Sequence, residues 1–373
     1  TVSTDTASNL NSALTNATAT DALTLTITDT SLSSLTNLLA LDTKTSVAVN
    51  ASSITSITET YANLNTAYSS AGISGLGNEA VTITDTQSAT NVNTILGKTT
   101  GVVTATVSTD TASNLNSALT NATSTDALTL TVNGATATAS DLISLDGKTN
   151  IAISVTATSV SGTFTDLNNI YVINSSNYSN LGDENITITD TQSATNVNII
   201  LGATSGNVTA IVTADTAAAL NTALTNATTG TDVLTLTVNG ATAQATDLID
   251  LDGKTSVDVS VTATAVSGTF ANLNTVYVTN VANYVNLGDE NVTITDTTSA
   301  GNVNIILGAT SGNVTAIVTA DTAAALNTAL TNATTGTDAL TLTINDTTLT
   351  SVSDLLALDG KTNVAVNASS VNS

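Results

Sequence analysis

The amino-acid sequence predicts an α/β solenoid, a fold in which parallel strands alternate with short helices in a right-handed repeat array and a Thr-rich face of the sheet remains open. Three observations predict it. Long strings of residues recur at a fixed period, apolar residues alternate with Thr in short runs, and apolar residues between those runs recur at positions i, i+3 and i+7. One strand followed by one short helix, here termed a coil, is therefore the expected building block.

The repeat is 105 or 106 residues long. Residues 1–18 recur without change at 106–123, and residues 211–232 recur without change at 317–338. No proline, Gly-Ser tract or block of charge interrupts this period, so we expect one continuous solenoid over residues 1–373, and the partial last unit favours a longer parent protein. The tandem units are 1–105, 106–210, 211–316 and the partial unit 317–373.

Each unit contains four runs in which apolar residues alternate with Thr, a period of two with many β-branched residues that is typical of strands. In the first unit these runs are Leu23–Thr28, Val47–Ala51, Val81–Thr84 and Val103–Val107. Because successive side chains of a strand point to opposite faces, we expect one buried aliphatic face and one open Thr face. The residues expected to be buried are Leu10, Leu14, Leu23, Leu25, Val81, Ile83, Val92 and Leu96, and those expected on the open face are Thr24, Thr26, Thr82 and Thr84.

Between the strand runs, the apolar spacing predicts short helices with one buried stripe. Polar residues stand where these helices would begin, and glycines stand where they would end in a left-handed conformation. The apolar triplets of the first unit are Ala7, Leu10 and Leu14; Leu32, Leu35 and Leu39; Tyr61, Leu64 and Tyr68; and Ala89, Val92 and Leu96. The expected N-caps are Asp5 or Thr6, Thr30 or Ser31, and Thr86 or Ser88, and the expected glycine ends are Gly97, Gly147, Gly253 and Gly360.

Strands joined by helical crossovers run parallel to one another. Successive strand runs of the first unit begin 24, 34 and 22 residues apart, which is the size of a β/α coil. We therefore expect one long parallel sheet with helices packed on its aliphatic face. About 14 coils at roughly 4.8 Å each would make this sheet on the order of 65 to 70 Å long.

The charge and composition narrow the classes of partner. The chain carries 29 acidic residues and five Lys, a formal net charge of −24, so it offers no basic surface to nucleic acid or anionic lipid. No uninterrupted apolar run approaches the roughly 20 residues that cross a bilayer, so no transmembrane segment is expected. Cys, Met, Trp and His are absent, which favours a location outside the cell, where oxidised side chains are not repaired.

Four strings carry a family resemblance: VTITDT, LDGKT, SSITSITETYANLNTAYSSAGISGLGNEAVTITDT and SVTATSVSGTFTDLNN. They resemble the repeats of giant bacterial cell-surface proteins of the cyanobacterial type, and the likeness covers essentially the whole chain. The resemblance implies secretion, great length and a role in a coat, a fibre, adhesion or motility. The sequence lacks the Gly-Gly-x-Gly-x-Asp nonapeptides that often accompany such arrays, so calcium binding of that kind is not carried over.

All five lysines occur in one type of string, LDTKT, LGKT or LDGKT. Gly-Lys-Thr also ends a phosphate-binding loop, but the earlier Gly of that motif is missing from every copy, and the tripeptide here ends a helix instead of opening one. We expect each Lys to stabilise the negative end of a helix and to pair with the adjacent Asp, as Lys148 with Asp146. The lysines are Lys44, Lys98, Lys148, Lys254 and Lys361.

Carboxylates recur in three sets, one after a strand, one before a helix and one in loops of sequence Gly-Asp-Glu-Asn. Helix capping explains the set before the helices, and ordinary surface charge is the simplest interpretation of the others. Oxygen-rich loops are also what calcium requires, so calcium in the Gly-Asp-Glu-Asn loops stays open as the one cofactor. The sets are Asp85, Asp190 and Asp296; Asp5, Asp110, Asp215 and Asp321; and Gly182–Asn185 and Gly288–Asn291.

The sequence assigns no catalytic, cofactor-binding or metal-ligating residue. Without His, Cys or Arg, nucleophilic triads, transition-metal sites and phosphoryl chemistry are not expected, and a glycosidase would need aromatic platforms beside two carboxylates. The few aromatic residues are instead repeat equivalents that we expect to seal the long coil: Phe164 and Phe270, Tyr171 and Tyr277, and Tyr178 and Tyr284. Asn-x-Ser/Thr triplets arise by chance in such a composition, so surface glycans stay open without an assigned site; they include Asn16, Asn50, Asn121, Asn174, Asn185, Asn207, Asn226 and Asn313.

The sequence therefore favours a non-enzymatic extracellular structural protein, a segment of a long cell-surface filament, sheath or coat. We expect it to self-associate with neighbouring copies or repeats, because a segment that begins and ends within a unit leaves strand edges without polar caps. One alternative is an adhesin stalk or surface-binding module stabilised by calcium. An ice-binding face ranks lower, because Ala48 and Asn50 interrupt the Thr rows and the coils differ in length.

Overall fold

The computed structural model describes residues 2–228, 230–333, 336–349 and 351–372. The chain divides into two compact units, Thr1–Asn185 and Ile186–Ser373. In each unit parallel strands alternate with short helices, and within the described residues no sheet closes into a barrel, so the predicted α/β class is confirmed. Residues 1 and 373, which begin the first tandem unit and end the last, lie outside the described residues. Continuity of the array over 1–373 stays a prediction.

The first compact unit, Thr1–Asn185, contains short elements. Its strands are β1 (Val2–Asp5), β2 (Thr24–Ile27), β3 (Ser31–Leu32), β4 (Val49–Asn50), β5 (Ser56–Glu59), β6 (Ile73–Ser74), β7 (Ala80–Ile83), β8 (Val103–Thr106), β9 (Ala127–Thr129), β10 (Thr131–Val132), β11 (Ala137–Thr138), β12 (Ile153–Val155), β13 (Ser159–Gly162) and β14 (Tyr178–Ser179). Its helices are α1 (Ala7–Ala13), α2 (Thr36–Asp42), α3 (Tyr61–Ser69), α4 (Ala89–Leu96), α5 (Ala112–Ala118), α6 (Ala139–Asp146) and α7 (Phe164–Asn168), with a π-helical turn at Asn169–Ile173 and a 3₁₀ turn at Ser175–Asn177.

The strands of the first unit form separate parallel sheets, so the prediction of one long sheet is wrong. Their orders are β1-β2-β4-β6, β3-β5-β7-β8-β9, β10-β12-β14 and, within this unit, β11-β13. The reason is that a long coil carries two strands joined by a sharp turn. After β4 the Asn50 Oδ1 accepts from the Ser52 amide at 3.1 Å, and the Ile54 amide donates to the Ala51 carbonyl at 3.1 Å. The chain then resumes as β5 in a second sheet.

The second compact unit, Ile186–Ser373, has the same kinds of element. Its strands are β15 (Asn185–Ile188), which begins at the last residue of the first unit, β16 (Val208–Ile211), β17 (Val233–Thr235), β18 (Thr237–Val238), β19 (Ala243–Gln244), β20 (Val259–Val261), β21 (Ala265–Gly268), β22 (Tyr284–Val285), β23 (Asn291–Ile294), β24 (Val314–Ile317) and β25 (Ala339–Thr341). Its helices are α8 (Ala194–Leu201), α9 (Ala217–Ala223), α10 (Ala245–Asp252), α11 (Phe270–Asn274), α12 (Ala300–Leu307), α13 (Ala323–Ala329) and α14 (Val352–Asp359), with π turn Thr275–Thr279 and 3₁₀ turn Val281–Asn283. The sheet orders within it are β15-β16-β17, β18-β20-β22 and β19-β21-β23-β24-β25.

The two faces of the strands differ as the alternation predicts. In the sheet β3-β5-β7-β8-β9 the buried residues Ile57, Val81 and Val103 pair in register, and Thr82, paired with Thr104, points to the other face. Of the residues expected to be buried, six are: Leu10, Leu25, Val81, Ile83, Val92 and Leu96. Of the four threonines, Thr24 and Thr84 are exposed and Thr26 and Thr82 are half-buried.

Two of the predicted core residues, Leu14 and Leu23, are only half-buried. Their counterparts one repeat later, Leu119 and Leu128, are fully buried. Helix α5 packs against α4, whereas no helix precedes α1 among the described residues. Leu128 pairs in register with Ala105 of β8, whereas the pairing of β2 with β1 begins at Thr24, one residue after Leu23. Their position in the array, and not the local pattern, sets their exposure.

The helix ends follow the prediction in part. Thr6 and Ser88 are N-caps, each accepting from the amide three residues later. The caps expected at Thr30 or Ser31 are wrong, because Ser31–Leu32 forms β3 and α2 begins only at Thr36, preceded by Leu35. This is also why Leu32 is not helical.

The glycines that end the helices are not left-handed, which corrects the sequence-based expectation. Gly97, Gly147, Gly253 and Gly360 have φ angles of −78°, −69°, −68° and −71°. Each helix instead closes with a tight turn in which the amide of the following Lys donates to a carbonyl three residues back, as Lys148 does to Leu145 at 2.9 Å. The left-handed conformation occurs in loops, at Gly182 and Gly288 among others.

Within the described ranges, none of the helices has the length and apolar character that crossing a bilayer would require.

Candidate functional site

Four of the five lysine side chains contact the coil before their own. The ammonium groups of these four donate to backbone carbonyls near the ends of α1, α5, α9 and α13, where free carbonyls carry the negative end of the helix dipole. The pairs are Lys44 with Asn11 at 2.8 Å, Lys148 with Leu119 at 2.7 Å, Lys254 with Leu224 at 2.8 Å and Lys361 with Leu330 at 2.6 Å. The expected helix-end role therefore holds for four lysines, but on the preceding helix and not on their own.

Two details differ from the sequence-based interpretation. Asp146, the partner expected for Lys148, accepts a hydrogen bond from the side-chain Nδ2 of Asn177 at 3.0 Å. Lys98 is exposed. The Gly-Lys-Thr string thus follows the negative, carbonyl end of a helix. In a phosphate-binding loop the same tripeptide opens a helix, at its positive, amide end.

The aspartates serve as bonds between coils. Seven of them accept from a backbone amide 22 to 26 residues earlier, and some of these amides belong to fully buried residues such as Val103 and Val208. The pairs are Ala7 with Asp29 (2.6 Å), Tyr61 with Asp85 (2.8 Å), Val103 with Asp126 (2.8 Å), Val208 with Asp232 (2.7 Å), Phe270 with Asp296 (2.7 Å), Val314 with Asp338 (2.8 Å) and Ala323 with Asp346 (2.7 Å). A buried amide satisfied by a carboxylate from the next coil locks the two together.

The predicted capping aspartates act one residue away from the cap. Asp5 accepts from the Thr6 amide at 2.7 Å, while the Thr6 hydroxyl caps α1. Hydrogen bonds from Asn9 and from the Thr6 amide lower the pKa of Asp5. The same contact recurs at Asp110, Asp215 and Asp321 with the threonine that follows each.

Asparagines form a third set of bonds, which the sequence did not reveal. Asn198 accepts from the Asn226 amide at 2.7 Å, donates to the Thr225 hydroxyl at 3.1 Å, and its carbonyl accepts from the Asn226 side chain at 2.9 Å. The same bonds join Asn304 to Asn332 and Asn93 to Asn121. The side-chain nitrogens of Asn121 and Asn226, two of the Asn-x-Thr triplets, are thus engaged, so a glycan on either would break a contact between coils.

Each Gly-x-Glu loop is built around a buried glutamate. Glu79, Glu184 and Glu290 are 0%, 3% and 3% exposed. Each accepts from a tyrosine hydroxyl, Tyr68, Tyr171 or Tyr277, and from the amide of the glycine two residues earlier at 2.8 or 2.9 Å. Burial, together with the neighbouring glutamate, raises the pKa of all three tyrosines, so each phenol remains a proton donor to its carboxylate. The tyrosines seal the long coil, and the Phe164 and Phe270 rings are half-buried.

The Gly-Asp-Glu-Asn loop of the second unit borders a cleft of about 620 Å³ lined by Val261–Thr264 and Asn286–Glu290. Asp289 is exposed, whereas Glu290 points inward, and its Oε1 has no hydrogen-bond partner among the described residues. Calcium takes six to eight oxygen ligands. Asp289 and Glu290 face different sides, so they do not offer their oxygens to one ion together. No group of three or more acidic side chains that could hold a metal ion occurs among the described residues. Calcium binding by the Gly-Asp-Glu-Asn loops therefore stays a prediction.

Tyr178 and Tyr284 lie in the neighbouring short strands, buried to 6% and 5% exposure, and their hydroxyls have no partner within the described residues. Burial, and then the nearby Asp146 or Asp252, raises their pKa. Asp146 also lines a polar cleft of about 300 Å³ with Asn177. The two tyrosines fill the interior of the long coil.

Most polar side chains followed above are thus used to join one coil to the next. That the chain is not an enzyme, and that it binds no cofactor, remain predictions. In comparisons with known proteins, this chain matches no family model, no curated protein and no solved structure.

Proposed function

We propose that this chain is a segment of a right-handed solenoid that serves as a non-enzymatic extracellular structural protein, in a long cell-surface filament, sheath or coat. The observation that carries the proposal is the periodic use of charged and amide side chains as bonds between coils. Lysine to helix end, aspartate to buried amide and asparagine to asparagine all recur at the repeat period.

This arrangement suits a load-bearing array. Nearest-neighbour contacts stabilise repeat proteins, so a bond that is copied with each repeat adds the same stability at each position. The sequence contains no His, Cys or Arg, and most of the carboxylates described above accept from backbone amides, hydroxyls or side-chain amides, the exposed Asp289 apart. The resemblance to bacterial cell-surface repeats and the lack of easily oxidised residues support an extracellular location.

Self-association is the second part of the proposal. A net charge of −24 opposes close approach of two copies at low salt, where the screening length is about 30 Å at 0.01 M, whereas at 1 M it is about 3 Å. We therefore expect association to increase with salt, and to increase further if calcium bridges carboxylates on neighbouring copies.

The test uses the full chain in light scattering and electron microscopy across NaCl concentrations, each with calcium or with EDTA. Ordered filaments or sheets at high salt support the proposal. A monomeric rod under every condition would refute self-assembly and favour the adhesin stalk. Protease treatment of intact producing cells tests the location, since a cell-surface protein is cut while cytoplasmic markers survive.

A further inference from the structure

The exposed side of four helices in the second unit is free of charge. Helices α8, α9, α12 and α13 contain no Asp, Glu or Lys, although the chain carries a net charge of −24. They form two adjacent pairs, α8 with α9 and α12 with α13. Two such charge-free surfaces on an acidic protein are places where a second acidic molecule can approach without direct repulsion.

A shallow groove lies between α8 and α9. It has a volume of about 660 Å³, and small side chains, Ala218, Ala219 and Ala223, make much of its lining beside Thr195 and Thr222. The hydrogen bond from the Asn198 side chain to the Thr225 hydroxyl at 3.1 Å fixes the two helices on either side. The groove is therefore preformed, and its lining offers methyl groups to an apolar side chain.

An exposed isoleucine stands beside each pair. Ile199 lies one turn after Thr195 on α8 and is 40% exposed. Ile305 occupies the same place on α12, 106 residues later, and is 44% exposed. The exposed part of Ile199 thus stands beside an alanine-lined groove, and both are open to water.

The isoleucine and the alanines change together between repeats. In the first unit the corresponding residues are polar, Thr94 on α4 and Ser113 and Asn114 on α5. In the second unit they are Ile199, Ala218 and Ala219, and the same set recurs at Ile305, Ala324 and Ala325. None of these positions is needed for the core, since the polar versions occupy the same helices in the first unit. The exposed isoleucine and the two alanines on the neighbouring helix thus occur together in the same repeats.

We propose that these two helix pairs form a self-complementary interface between two copies of the chain, in which Ile199 and Ile305 of one copy pack on the alanines of α9 and α13 in the other. The inference rests on the self-association in the proposed function and names its surface. A second copy is the fitting partner because it alone presents the same two contacts at the same spacing. Each contact is far smaller than the roughly 800 Å² per partner of a stable interface, so the two must act jointly to be effective.

The experiment measures self-association of the full chain by sedimentation equilibrium in 1 M NaCl. The test variant is Ile199→Thr with Ile305→Thr, which restores the residue found in the first unit. The matched control is Ile211→Thr with Ile317→Thr, on strands β16 and β24, where the side chains are 54% and 51% exposed and Thr106 is the counterpart in the first unit. We expect the helix variant to weaken association at least about tenfold, equivalent to about 1.4 kcal/mol, and the strand variant to leave it unchanged.

A second variant tests the groove independently. Ala219→Asn with Ala325→Asn places the first-unit residue on both α9 and α13 and should weaken association to a similar degree, with unchanged circular dichroism. Association equal to wild type in both helix-face variants would overturn the assigned surface while leaving self-association standing. A wild-type chain that stays monomeric in 1 M NaCl would overturn the proposed self-association itself, and the surface with it.

Discussion

Asp232 offers the sharpest test of the bonds between coils. It is 6% exposed, and its Oδ1 accepts from the amide of the fully buried Val208 at 2.7 Å. In Asp232→Ala the Val208 amide loses this acceptor inside the protein, which costs about 1 to 3 kcal/mol. Asp258→Ala is the control, because Asp258 is exposed and its removal changes the net charge by the same amount. Surface substitutions of this kind stay within about 0.5 kcal/mol.

The assay is urea unfolding of the full chain, with amide exchange of Val208 as a local readout. We expect Asp232→Ala to lower the unfolding midpoint and the protection of the Val208 amide, and Asp258→Ala to do neither. Equal midpoints and equal protection in the two variants would show that the carboxylate does not hold the adjacent coil, and the reasoning on all seven aspartates would fail with it.

The pH dependence of the same site has a defined sign. Burial raises the pKa of Asp232, an effect partly offset by the Val208 amide. The folded chain therefore binds this proton more tightly than the unfolded chain, so the contribution of Asp232 to stability is greatest below its unfolded pKa and decreases as the pH rises through its folded pKa. Asp232→Asn keeps an acceptor and does not ionise. Wild type should gain stability relative to this variant as the pH falls, and a gain in the opposite direction would contradict the assignment.

Two further predictions concern glycine and lysine. Gly312→Ala should destabilise the chain by about 1 to 3 kcal/mol, because the new Cβ would lie 2.1 Å from a backbone carbonyl oxygen. Gly301→Ala, at the second residue of α12 with its nearest neighbour 4.0 Å away, should stabilise it by about 0.4 to 1 kcal/mol; thermal unfolding of both variants checks the pair. Lys254→Met should cost about 0.3 to 2 kcal/mol through loss of the bond to the Leu224 carbonyl, whereas the exposed Lys98→Met should change the urea midpoint little.

The sequence predicts the strands and helices better than their arrangement in sheets. Alternation located β2, β7 and β8 because each is a four-residue run with one buried face. The strand β3 is only two residues long, and its Leu32 stands three residues before Leu35, so the helical spacing absorbed it. Two-residue strands have no period to detect, and the four-residue β5 buries only Ile57, so the second strand of the long coil was missed.

The contacts between coils were hidden for a different reason. Lys254 and Leu224 are 30 residues apart, and Asp232 and Val208 are 24 apart. Local patterns report which residues share a face of one element, whereas these pairs depend on how one coil lies on the next. The recurrence of a lone Lys in one type of string was the available signal, and it predicted a helix end correctly but assigned the wrong helix.

The spacing of these pairs bears on how such a chain changes length over generations. Lys148 reaches back 29 residues and Lys254 reaches back 30 residues to equivalent carbonyls. If recombination between two repeats inserts or removes one whole period, wherever the crossover falls, each Lys still finds an equivalent carbonyl about one coil behind it. A crossover out of phase would separate every donor at the junction from its acceptor. Gene rearrangement in whole periods is thus tolerated by the bonding scheme, and the number of repeats can vary among descendants without any compensating substitution.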